Sequence, residues 1–484
     1  MTIDIRFCVK LLSLISVIVS AGMLPSLMMG LIDGTSDALA FSLSITAGIL
    51  FSAVSWIYSG SGRKLYSGIR EGVAVTGFSW VIASLLGALP YWIGGYCSYT
   101  DGFFETMSGF TTTGATIFAD IESLPRGILL WRAVTHWMGG MGIIVLSLAV
   151  LPFLGVSGME MYKAEVPGVT AGKVSPRLHQ TAVMLWLVYI ALTITEAVLL
   201  TIGGMSIFDA VCHSFSTIAT GGFSTKNNSV AYFTSAYIQW VIIVFMFLSG
   251  INFSLYFCLL KKDFRSFFGD GELRGYIFLT LTASLLIGLS LYSCGKFSDI
   301  SYIIRQSFFH VISVMTTTGF IVEDYDYWSY FAQFVIIILM FVGASGGSTG
   351  GGCKVSRFMI LGCCLKAEVK KLLHPRAVIT ARFDGKPLTQ DTLNSAMSFF
   401  VLYMLILGIC TLILTSFGLD ILTSFTGVLT CLSNVGPGLN RLGATEHFAW
   451  LPDIVKWILS FCMLAGRLEL FAVLLLFLPS TYRK

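Results

Sequence analysis

The sequence predicts an all-α polytopic membrane protein in which four repeats of span, half-helix and span sit in pseudo-fourfold arrangement, preceded by two extra transmembrane helices. Three observations carry this. Of 484 residues, 55% are hydrophobic and only 12% charged, against about 25% charged in soluble domains, and the mean hydropathy is +0.82. Apolar runs long enough for a ~30 Å hydrocarbon core recur along the whole chain. Between several of them lies one short motif, repeated four times.

The two leading runs cover about 8–31 and 38–58. The others fall into pairs at about 74–95 and 127–155, 181–204 and 231–259, 275–294 and 328–365, and 394–417 and 451–478. The first run is already of spanning length and lacks a small-residue cleavage site, so no cleavable signal peptide is expected. The predicted division is 1–68 for the leading helices, then repeats at 69–160, 161–265, 266–372 and 373–484. With a cytoplasmic N-terminus, most of the thirty Lys and Arg fall in inner loops, including Lys163, Lys173, Arg177, Lys354, Arg357 and the basic run from Lys366 to Lys386. That bias predicts both termini on the cytoplasmic side. The acids Asp101, Glu105, Asp120, Glu122, Asp209, Glu323, Asp324 and Asp326 sort to the outer half, a field that concentrates cations and repels anions. Eleven cysteines and six histidines show no metal-ligand spacing. Of the cysteines only Cys97 and Cys294 reach the expected outer side, where a disulfide is permitted.

The repeated motif aligns without a gap as DGFFETMSGFTTTGA from Asp101, DAVCHSFSTIATGGF from Asp209, QSFFHVISVMTTTGF from Gln306 and TSFTGVLTCLSNVGP from Thr423. Its fourteenth residue is always glycine (Gly114, Gly222, Gly319, Gly436), and its eighth is a small hydroxyl (Ser108, Ser216, Ser313, Thr430). Polar backbone at membrane depth is tolerated only where protein buries it or water lines it. Four such half-helices therefore face one pore, each with its partially negative C-terminal end inward. Carbonyls and threonine hydroxyls around a pore supply what a monovalent cation loses with its hydration shell. The expected selectivity filter is Thr112, Thr113 and Gly114; Thr220, Gly221 and Gly222; Thr317, Thr318 and Gly319; and Asn434, Val435 and Gly436. Glycine is required where a side chain would obstruct the strand. The alternative is that each TTTG merely caps a re-entrant helix.

These motifs, with WMGGMGIIVL from Trp137, GGSTGGGCKV from Gly346, SNVGPGLN from Ser433 and GRLELFAVLLLF from Gly466, resemble the membrane subunit of the bacterial Trk potassium uptake system, within the Trk/Ktr/HKT superfamily. The resemblance covers nearly the whole chain. It implies potassium uptake across the bacterial inner membrane, with potassium as the transported ion and no covalent cofactor. It also implies a homodimer in which each protomer has its own pore, coupled to a cytoplasmic nucleotide-binding regulatory ring of the TrkA type. The remaining partners are membrane lipids, with no nucleic acid. In plant relatives, glycine at all four filter positions goes with potassium selectivity, and all four are glycine here. Asn440 departs from the small residue often found there.

The stretch GASGGSTGGGCK, from Gly343 to Lys354, invites a nucleotide reading, yet neither register satisfies G-x-x-x-x-G-K-[ST]. Each glycine costs about 1 kcal/mol in a helix, so the run 328–365 must open at mid-membrane and line a cavity. Below the filter, Gly343, Gly346, Gly347, Ser348, Thr349, Gly350, Gly351 and Gly352 are expected to form a gate, as the corresponding loop is thought to do in the resembling family. Arg467, an intramembrane charge, is expected to hold that loop by its carbonyls and to repel cations; the competing reading pairs it with Glu469 or Glu196. Arg132, His136, Arg305 and His310 read as structural ties. A secondary transporter coupling potassium to protons or sodium is the alternative function; four parallel copies argue against its usual twofold or inverted symmetry. An enzyme would need a convergent nucleophile or metal cluster, which the sequence does not offer.

Overall fold

The protein is described by a computed structural model covering residues 4–60, 69–142, 178–295, 297, 299–377 and 380–477. The expected inner-loop cations Arg63, Lys64, Lys163, Lys173, Arg177, Arg483 and Lys484 lie outside the described residues, as does 143–155 of the run 127–155.

Apolar runs become helices, and short polar residues set where they begin. The Asp4 carboxylate accepts from the amides of Arg6 and Phe7 and starts α1 (Ile5–Gly22), which continues into α2 (Leu24–Asp33). Next come α3 (Asp37–Ser59), α4 (Ile69–Gly87) and α5 (Leu89–Ile93). α1 and α3 pack through small residues. Ser16 Oγ donates to Gly48 O at 2.6 Å, and a Cβ on Gly48 would overlap Ser20 Oγ, the close backbone approach typical of helices in lipid.

From there a single pattern recurs. A long helix is followed by a short buried helix, an extended strand and a broken helix. The short helices are α6 (Tyr99–Phe110), α9 (Ile207–Ile218), α14 (Ile300–Met315) and α18 (Ile421–Ser433). Their N-caps Ser98, Ser206, Asp299 and Asp420 each accept a backbone N–H from the first turn, satisfying donors that the helix itself leaves open. The long helices preceding them are α4–α5, α8 (Leu178–Ile202), α13 (Gly271–Ser293) and α17 (Gln390–Ser416).

Three of the helices that follow are interrupted, and the first is described only as far as its glycine-rich end. α7 (Arg126–Gly140) stops before Gly142, whose φ is 76°. α10 (Ala236–Ser249) and α11 (Phe253–Leu260) meet at 96°. α15 (Tyr330–Phe341) and α16 (Val355–Leu373) flank the glycine stretch, and α19 (Asp453–Arg467) is separated from α20 (Phe471–Phe477) by Glu469 and Leu470, both at φ 55°. Six helices among the described residues are long and apolar enough to cross a membrane, or seven if the bent pair counts as one. Ten unbroken or once-broken spans are expected; three of the remaining four are interrupted, and 127–155 is described only to residue 142. The break in 328–365 is the anticipated one, whereas 231–259 and 451–478 are corrected from continuous spans to broken ones. A short helix α12 (Phe264–Gly269) and a hairpin of β1 (Arg382–Phe383) against β2 (Lys386–Pro387) complete the chain. Cys97 and Cys294 are both free thiols.

Candidate functional site

The four strands that leave α6, α9, α14 and α18 share one backbone pattern. The amide of the thirteenth motif residue donates to the carbonyl of the eighth: Thr113 to Ser108, Gly221 to Ser216 and Thr318 to Ser313 at 2.8 Å, and Val435 to Thr430 at 2.9 Å. Positive φ falls on the twelfth and fourteenth residues in every copy. The pairs are Thr112 at 54° with Gly114 at 82°, Thr220 at 55° with Gly222 at 84°, Thr317 at 60° with Gly319 at 76°, and Asn434 at 58° with Gly436 at 102°. Left-handed backbone is costly for residues with a Cβ, so four such threonine or asparagine residues in register reflect one imposed geometry. Thr111 and Thr113 share a hydroxyl bond of 2.8 Å, as do Thr316 and Thr318. The eighth-position hydroxyls of Ser313 and Thr430 hold Phe320 O and Pro437 O on the far side of the glycine.

The glycines close a ring. A Cβ on Gly114 would overlap the carbonyl oxygen of Gly221; one on Gly222 would overlap that of Thr318; one on Gly319 that of Val435. The circuit returns because a Cβ on Gly436 would fall 2.6 Å from Thr113 O. Each strand thus abuts the carbonyl just ahead of the next strand's glycine. Above them a cavity of ≈ 90 Å³ is lined by all four glycines together with Arg132, Lys226, Glu446 and His447.

Outside this ring the fifth motif residue braces its own strand. Glu105 accepts from Thr116 Oγ1 at 3.0 Å and from the amide of Ile117 at 2.8 Å; His213 Nε2 meets Ser224 Oγ at 2.9 Å; His310 Nε2 meets Glu323 O at 2.9 Å. In the fourth copy the residue is Gly427, and Leu442 packs against it. Neighbouring segments are then stitched together: Arg132 Nη1 to Ser224 O at 3.0 Å, Ala231 N to Ile321 O at 3.1 Å, Tyr325 OH to Gly438 O at 2.9 Å, and Phe448 N to Thr116 O at 2.8 Å. Arg132 also forms a buried ion pair with Glu105 at 2.8 Å. Arg305 donates to Gln239 Oε1 at 2.8 Å, and His136 Nδ1 lies 3.3 Å from Ser216 Oγ. Asn440 belongs to the same stitching, with its amide on Asp326 Oδ1 at 3.2 Å and its side chain on Asp420 Oδ2 at 3.1 Å.

Below the strands, a second cavity of ≈ 100 Å³ is lined from the end of α7 and from the three breaks, by Gly140 to Gly142, Phe253, Gly347 to Gly352, and Gly466 to Glu469. The glycine stretch crosses this space and is tied to every side. Ser345 N donates to Gly250 O and Phe253 N to Gly347 O; Thr349 Oγ1 donates to Ile218 O at 3.1 Å; Gly351 N donates to Thr317 Oγ1 at 2.7 Å. A Cβ on Gly343 would overlap Gly351 O, so the two ends of the loop touch. Gly346 lies beside Glu272, Ser348 Oγ donates to Ser345 O within the loop, and Gly350 and Gly352 close beneath Thr317. Arg467 spans the cavity. It donates to Thr349 O at 2.7 Å, Thr112 Oγ1 at 3.2 Å, and Gly139 O and Gly140 O at 2.7 and 3.0 Å. Glu469 pairs with Arg357.

The family model described as TrkH, cation transport protein, matches residues 39–482. The chain belongs to the TrkH family. The Trk system potassium uptake protein TrkH of Salmonella typhimurium is 37% identical over 99% of both chains, and that of Halomonas elongata is 38% identical over 99% of this chain and all of its relative. The crystal structure of the potassium transporter TrkH from Vibrio parahaemolyticus superposes with a TM-score of 0.89 at 35% identity, covering 99% of this chain and 100% of that one.

Within this TrkH-family chain the sequence reading missed three things. Lys354, sorted with the inner-loop cations, is instead buried, with Nζ on the carbonyls of Gly350 and Gly351; its position two residues after the last glycine was the available signal. Of the fifth-position brace only His310 is read as a structural tie, and its recurrence is missed because the residue type changes from Glu to His to Gly. Arg467 was read as lying within a continuous last span, but it ends α19 at the break, which is what frees its guanidinium for four oxygens on three segments.

Proposed function

We propose that this chain takes up potassium across the bacterial inner membrane through a channel-like pore with a four-part selectivity filter and an intramembrane gate. The ring that runs from Gly114 to Gly221, Gly222 to Thr318, Gly319 to Val435 and Gly436 to Thr113 is the observation that carries the reading. Alternating left-handed and ordinary backbone turns successive carbonyls toward the same side, so four strands in a closed ring offer stacked oxygens to one axis. The filter is Thr112 to Gly114, Thr220 to Gly222, Thr317 to Gly319 and Asn434 to Gly436. Four half-helix C-termini add negative potential there, and carbonyls replace the hydration shell of a monovalent cation. The full-length relatives are named as potassium uptake proteins, which supports potassium as the ion.

The gate is the loop Gly343 to Gly352, held by Arg467. Its many glycines leave it without side-chain bulk, and its bonds to the breaks of the other segments keep it across the cavity. The repeats are 69–160, 161–265, 266–372 and 373–484, following two leading helices at 1–68, with both termini cytoplasmic. The working assembly is a homodimer joined to a cytoplasmic nucleotide-binding ring of the TrkA type. The test is single-channel recording of the purified chain in bilayers with potassium and sodium gradients. A reversal potential that follows potassium supports the reading, and flux that appears only with a driving proton or sodium gradient overturns it.

A further inference from the structure

We infer that Glu272 is a cytoplasmic-side latch of the gate, an inference that rests on the gate reading above. Opening a helix at mid-membrane leaves the first amides of its lower half without partners. α16 begins at Val355, and its N-cap Lys354 makes no side-chain capping bond. The missing acceptor comes from another helix. Glu272, the second residue of α13, accepts at one carboxylate oxygen from both Ser356 N, at 3.1 Å, and Gly346 N, at 2.8 Å. A single carboxylate oxygen thus joins the lower edge of the loop to the top of the helix that follows it.

The geometry separates this residue from the other holds on the loop. Arg467 and Thr317 grip its upper side next to the filter, at Thr349 O and Gly351 N. Glu272 grips the opposite side, and the charge it brings suits a helix N-terminus, where a carboxylate is favoured over a neutral acceptor. If the loop swings aside as α16 moves, Gly346 and Ser356 must part from a carboxylate fixed in α13. The strength of that contact then sets how often the loop leaves the path.

The test is rubidium-86 uptake into proteoliposomes containing the purified full-length chain, alongside thermal unfolding of the same samples in detergent. Glu272→Ala should raise uptake by about tenfold, the factor expected when a hydrogen bond to a charged group is removed from the closed state. Glu272→Gln, which keeps an acceptor oxygen without the charge, should fall between this and the unaltered chain. Potassium over sodium preference should remain in both, since the filter is untouched. If Glu272→Ala does not fold, Glu272→Gln decides alone. Unchanged or reduced uptake in a folded Glu272 variant, with raised uptake for Arg467→Ala, overturns the latch and leaves the gate standing. If shortening the loop and Arg467→Ala also leave uptake unchanged, the gate fails and the latch fails with it.

Discussion

Gly319 faces the carbonyl oxygen of Val435 so closely that a Cβ built on it would overlap that oxygen, and its φ of 76° lies in the left-handed region. Two penalties therefore meet at one atom. Gly319→Ala must shift the neighbouring strand, and left-handed backbone alone costs about 1–2 kcal/mol for a residue with a Cβ. Potassium preference over sodium, read from reversal potentials in bilayers, should fall by roughly tenfold. A folded Gly319→Ala channel with unaltered preference would remove the strand ring from the account of selectivity.

Arg467 makes its contacts through both terminal nitrogens at once, and lysine cannot reproduce a fork. Arg467→Ala should raise rubidium uptake in proteoliposomes, and Arg467→Lys should give an intermediate rise although charge is retained. Equal uptake in the lysine variant and the unaltered chain would assign the effect to charge and not to the bonds on Thr349, Gly139 and Gly140.

Glu105 and Arg132 are both buried, and each also bonds to strand atoms. Removing one partner strands the other in a low-dielectric site, at about 3–5 kcal/mol. Glu105→Ala should lower the unfolding temperature in detergent by more than any substitution of the exposed pair Arg126 and Asp33. Comparable losses at the two sites would show that burial of the first pair carries little weight.

In the loop after the third strand, burial pushes the carboxyl of Asp326 up from the ordinary 3.8 to about 6, with Asp324 and Glu446 adding to the shift and the amide of Asn440 opposing it. Because the folded carboxyl takes its proton at higher pH than the unfolded one, this group's contribution to stability is fully present at low pH. It declines as pH rises from 3.8 to about 6 and stays lost above that. Thermal unfolding between those limits should therefore show a smaller fall with rising pH in Asp326→Asn than in the unaltered chain. Parallel pH profiles would assign the slope to other groups.

Most of the helices and all four strands were legible in the sequence, because apolar runs of spanning length and a fixed motif glycine are direct physical requirements. The breaks were not. After α10 the break carries Gly250, but single glycines in apolar helices are common. Between α19 and α20 the left-handed residues are Glu469 and Leu470, which no local rule marks as a break. The stretch Gly343 to Gly352 was readable only because it repeats its signal six times. Lys354 was misplaced for the converse reason: a charge adjoining a polar loop looks like surface until the loop is folded inward. Asn440 acquired its role only when Asp326 and Asp420, distant in sequence, were brought beside it.

Among the breaks in the described residues, only the one between α15 and α16 is extended into a loop that crosses the lower cavity. Four separate but identical subunits would have to insert that loop four times into a space that holds one. Joining the quarters in a single polypeptide lifts the demand that they be alike. Under the proposed gate, one quarter is then free to become the moving part, another to supply the arginine that restrains it, and the remaining two to serve as its frame.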